Sequence, residues 1–130
     1  MNYLISLVAV VSLSFGSLAN AEVFYCAAEN QAGIDWVKSA PIAFKPKRFK
    51  LDVDFEKNTI HAPDASLHNR PDFGTVCSKK TFATDGSAYI HCSSKLGTAL
   101  MFNVVSYAFS HAMYLEGQDM YVAYGSCEPF

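Results

Sequence analysis

Four cysteines, Cys26, Cys77, Cys92 and Cys127, constrain this 130-residue chain more than any other feature. They follow an N-terminal stretch, MNYLISLVAVVSLSFGSLANA, that carries an apolar run from Leu4 to Leu13 and a small-residue tail ending Ala19-Asn20-Ala21. That is the layout of a secretory signal peptide with a small-x-small cleavage site. The run is shorter than the about 20 apolar residues a membrane span needs. The expected division is a signal peptide over 1–21 and a single β-rich domain over 22–130. The mature chain is expected to be periplasmic or extracellular, with no transmembrane segment. An even cysteine count in an exported chain reads as two disulfides. Three pairings are open. Cys77–Cys92 with Cys26–Cys127 is favoured, because it staples two consecutive strands and ties the first strand to the last. Zinc sites bring cysteines in closely spaced pairs, and no two here are that close.

The strand pattern is clearest in Lys47–Phe55, where Phe49, Leu51, Val53 and Phe55 alternate with Arg48, Lys50, Asp52 and Asp54. Side chains of a strand alternate between faces, so one face is apolar and the other charged. Glu22–Ala28 suits a first strand, Asn30–Gly33 signals a turn, and Trp36 is expected in the core. Glu56-Lys57-Asn58 turns the chain into a returning strand over Thr59–Ala62. Val76–Thr84 and Ser87–Ser93 flank Asp85-Gly86, a strong hairpin signal. Around a two-residue turn, Cys77 and Cys92 miss direct opposition by two residues, an offset that a bulge or a longer turn would absorb. Residues 98–116 fit either two strands or a helix, and strands are favoured by the aromatic and β-branched content. Met120–Cys127 makes a last strand. The expected fold is all-β, a small antiparallel barrel or sandwich with two disulfides and with first and last strands adjacent. The alternative is an α+β fold with a helix near 98–116.

Met101-Phe102-Asn103, Tyr107–Ala112, Gly117 and Val122–Cys127 resemble a group of small exported proteobacterial proteins of unknown function. In that group a Phe-Asn pair precedes an aromatic strand and the chain ends on a Gly-x-Cys strand. Cys26 and Trp36 match its early cysteine and tryptophan. The resemblance implies a β-rich exported domain with disulfides and brings no catalytic residues.

Twelve acidic and ten basic residues leave a net charge of −2, so no basic field for nucleic acid is present. Asp52, Asp54 and Glu56 read as a solvated strand face. Lys45, Lys47, Arg48 and Lys50 read first as a protected sheet edge, and second as a contact for an anionic glycan or an acidic protein. The histidines at 61, 68, 91 and 111 show no metal-ligand spacing, and neither a metal nor a cofactor is expected. Gly125-Ser126-Cys127 is not a nucleophile elbow. The candidate binding residues are His111, Tyr107, Tyr114, Tyr121, Lys47 and Arg48. They suit an exported interaction module for a protein, glycan or small apolar ligand. One alternative is a ligand-binding barrel with His111 and Tyr107 lining its interior. Another is a hydrolase using His61 or His68 with Asp64 or Asp72 from the 61–72 loop.

Overall fold

The computed structural model describes residues 21–43, 47–62, 75–114 and 120–130. Among these the chain is all strand and turn. The strands are β1 (Glu22–Asp35), β2 (Ala40–Pro41), β3 (Lys47–Asp54), β4 (Thr59–His61), β5 (Val76–Thr81), β6 (Ala88–Ser93), β7 (Thr98–Asn103), β8 (Ala108–Met113) and β9 (Met120–Pro129). They form one antiparallel sheet in the order β4-β3-β1-β9-β8-β7-β6-β5, with β2 on β1. The two ends of that order meet, β4 packing against β5 and β6, so the sheet is a nearly closed barrel. There the Cys77 Sγ lies 4.0 Å from the Ile60 carbonyl oxygen.

Alternation puts Phe24, Phe49, Leu51, Val53, Ile90, Leu100, Phe102 and Phe109 inside. Phe24 is fully buried and packs its ring 5.1 Å from Phe102 and 5.0 Å from Tyr107. Both favoured disulfides form, Cys26–Cys127 between β1 and β9 and Cys77–Cys92 between β5 and β6. In each case the two residues are direct cross-strand partners.

Several local expectations change. The β5–β6 turn spans the four residues Ala83–Gly86, closed by Phe82 N–H to the Ser87 carbonyl (2.9 Å) and Gly86 N–H to the Phe82 carbonyl (3.0 Å). The longer loop removes the two-residue offset between Cys77 and Cys92. Asn30–Gly33 is no turn. It continues β1 beyond a bulge between Ala28 and Asn30, because β9 runs alongside and supplies partners. Gly33 is needed there for close approach, since a Cβ would overlap the Met120 carbonyl oxygen. Trp36 sits in the turn after β1 and is 47% exposed. Asp54 is buried rather than solvated, because its carboxylate accepts the Glu56 and Lys57 N–H groups at 3.0 and 2.9 Å and shapes the turn into β4.

Residues 98–114 are two strands. Asn103 ends the first, its side-chain oxygen accepting the Val105 and Ser106 N–H groups at 2.9 and 3.0 Å. A short polar side chain that bonds its own backbone this way competes with a helix. At Gly125 of β9 a Cβ would overlap the Ala27 carbonyl oxygen of β1 and press on Phe109. Gly125→Ala is expected to cost about 1–3 kcal/mol, as overpacking does. Urea unfolding would measure it, and an unchanged midpoint would mean that β1 and β9 pass farther apart.

Candidate functional site

The wall made of β3, β1 and β9 carries a concavity on each side. Which side a residue faces follows from the buried cystine. Cys26 and Cys127 point inward, so alternation sends Tyr25 and Ala27 of β1, and Ser126 and Glu128 of β9, outward. On β3, Phe49 and Leu51 are inside, which sends Arg48 and Lys50 outward.

Strand pairing then aligns the outward residues in two rows. Tyr25 lies between Lys50 and Glu128, and Ala27 lies between Arg48 and Ser126. These side chains line an open groove of about 540 Å³. The small Ala27 side chain leaves the depression. Lys50 Nζ sits 5.1 Å from the centre of the Tyr25 ring, within cation–π range. Phe130 meets that ring edge-on at 5.3 Å. A bulge can re-aim a side chain, and the one after Ala28 lies beside Glu29, whose carboxylate accepts the Ser126 hydroxyl at 2.6 Å. The cations thus lie on the β3 side and the carboxylates, Glu29 and Glu128, toward β9. Among the described residues no ion pair joins the two sets.

On the inner side, Ala28, Gln31, Lys47, Phe49, Phe109, His111, Tyr121 and Ala123 surround a smaller space of about 150 Å³. His111 is buried and meets the Tyr121 ring at 5.5 Å. Burial alone pushes the Tyr121 phenol above its usual pKa. The folded state therefore favours the neutral phenol. Its stabilising contribution is complete below about pH 10, the unfolded value, and is lost as pH rises through the folded one. Tyr121→Phe is expected to flatten the alkaline fall in stability, read as urea midpoints at about pH 9 and about pH 11. An identical fall in both proteins would contradict it.

The expected candidate residues are thus dispersed. Lys47, His111 and Tyr121 meet at the inner space, whereas Arg48 belongs to the outer groove. Tyr107 is in neither. With φ at 58° it packs into the core against Phe24 and Phe102, facing the barrel interior as His111 does but not lining the space beside it. Tyr114 is 76% exposed and borders a shallow apolar groove of about 270 Å³ with Ile34, Met113 and Val122. His61 pairs with Asp52 at 3.6 Å across β3–β4. His68, Asp64, Asp72 and Lys45 lie outside the described residues, as does most of the signal segment. Among the described residues no three His, Cys, Asp or Glu groups come together to hold a metal ion. Tyr25, Ser126 and Glu128 were missing from the expected set. The signal for them was parity with Cys26 and Cys127.

No family model, curated protein or solved structure matches this chain.

Proposed function

We propose that this protein is an exported binding module that holds a polar small ligand in the outer groove of β3, β1 and β9. The observation that carries the reading is the pair of rows Lys50–Tyr25–Glu128 and Arg48–Ala27–Ser126 around a volume of about 540 Å³. Ligand sites commonly occupy about 300–1,000 Å³ and place a few polar groups around an apolar or aromatic floor. The inner space falls below that range. Export is supported by the apolar N-terminal run and by two disulfides, which persist in oxidising compartments. The likeness to small exported proteobacterial proteins belongs to the same reading.

Binding rather than catalysis is favoured by the composition of the groove. Tyr25, Arg48, Lys50 and Ser126 offer charge, hydrogen bonds and a ring face; the Ser126 hydroxyl donates to the exposed Glu29 carboxylate, and no histidine lines the groove to serve it as base. Native mass spectrometry of protein purified from the export compartment tests the reading. Wild type is expected to retain a small molecule that Tyr25→Ala and Arg48→Ala lose. Retention by both variants, or none by wild type, would contradict it.

A further inference from the structure

We infer that the ligand of the outer groove is a zwitterion, with its anionic end on Arg48 and Lys50 and its cationic end on Glu128. This rests on the outer-groove reading and specifies the ligand. Within the groove the charges are sorted by strand: both cations project from β3 and Glu128 projects from β9, while Asp52, on the same face of β3, lies outside the groove and pairs with His61. β1 keeps them apart, and neither cation is paired with Glu128 among the described residues. Glu29 accepts the Ser126 hydroxyl and does not line the groove, so Glu128 is the carboxylate there to meet a ligand.

A purely anionic ligand long enough to fill the groove would meet Glu128. A purely cationic one would meet Arg48 and Lys50. A zwitterion satisfies both sides at once. The planar guanidinium of Arg48 suits a carboxylate or phosphate through two parallel hydrogen bonds. The Tyr25 ring and the Ala27 floor lie under the ligand's middle.

Length narrows the class. Neighbouring strands are about 4.8 Å apart, so β3 and β9 are separated by roughly 9–10 Å. A fully extended tripeptide reaches roughly 10 Å. A zwitterionic lipid headgroup has the same charge types on a shorter skeleton.

Calorimetric titration of the oxidised protein tests this with triglycine, N-acetyl-triglycine, triglycinamide, glycerophosphoethanolamine and maltotriose. Triglycine is expected to bind, and blocking either end to weaken binding about tenfold. Glu128→Gln is expected to weaken triglycine to a similar extent and to abolish the difference between triglycine and its N-acetyl form. Glu128 is exposed, and an unchanged urea midpoint would show that the variant is folded. Tighter binding of glycerophosphoethanolamine than of triglycine would uphold the zwitterion and assign it to a lipid headgroup. Equal binding of free and blocked peptides, or discrimination that survives in Glu128→Gln, would overturn the inference. If maltotriose binds in a Tyr25-dependent way and no zwitterion does, the ligand class falls and the groove stands. If no probe binds, both fall.

Discussion

Replacing Cys26 and Cys127 together by alanine is expected to lower the melting temperature by roughly 20 °C or more. The bond closes a sequence separation of 101 residues. On the chain-entropy model a loop of that length is worth about 4.7 kcal/mol. A whole domain's net stability is only about 5–15 kcal/mol. The cystine is also buried, so its removal strips sulfur contacts from the core beneath β1 and β9. The Cys77–Cys92 bond, with a separation of 15, is expected to contribute less, about 3 kcal/mol. Calorimetric melting of the two double-alanine proteins against wild type measures both. A smaller loss for the Cys26–Cys127 pair would contradict the loop-length reasoning. A large loss has a functional corollary, because the same bond sets the facing of Tyr25 and Ser126, and the groove is expected to weaken with it.

Phe24→Ala is expected to destabilise by about 4 kcal/mol, within the range for deleting a buried ring. Phe24 has no exposed surface and meets Phe55, Phe102 and Tyr107, with ring centres 5.0–6.1 Å away. These rings come from β1, the β3–β4 turn, β7 and the β7–β8 turn, so collapse around the void would have to move several elements. Phe24→Leu keeps most of the volume and is expected to cost about 1–2 kcal/mol. Urea unfolding of both proteins provides the measurement. Equal midpoints for alanine and leucine would mean that the site collapses freely. Because Phe24 faces inward and Tyr25 outward, Phe24→Leu is expected to keep ligand retention while Tyr25→Ala loses it.

The parts of the fold that were legible in the sequence depend on local patterning. KRFKLDVDF alternates strictly, and β3 follows it from Lys47 to Asp54. The turn before β4 was likewise readable from Glu56-Lys57-Asn58. The favoured cysteine pairs rested on a hairpin for Cys77–Cys92 and on adjacent first and last strands for Cys26–Cys127, and both form. What failed depended on partners far away in sequence. Asn30–Gly33 has turn chemistry, yet β9 continues to pair with it past the bulge. Trp36 is apolar and large, yet it falls in a surface turn that no hydrophobic period governs.

The candidate site was less legible for the same reason. Lys47 and Arg48 are neighbours in the chain and face opposite sides of the wall. Tyr107 looked like a cavity residue because its parity matches His111. It does face inward, but it packs against Phe24 and Phe102 and does not line the space beside His111. The groove itself depends on Tyr25 meeting Lys50 on one side and Glu128 on the other. Registers between strands so distant are not written in any local window.

Backbone amide spectra recorded while the protein is titrated with the small-molecule fraction of its own export compartment would separate the two sides of the wall most directly. Ligand in the outer groove is expected to shift Tyr25, Ala27, Arg48, Ser126 and Glu128 together while leaving Phe109 and His111 in place. Shifts centred on Phe109, His111 and Ala123 would put the ligand in the inner space and contradict the outer groove as the binding site.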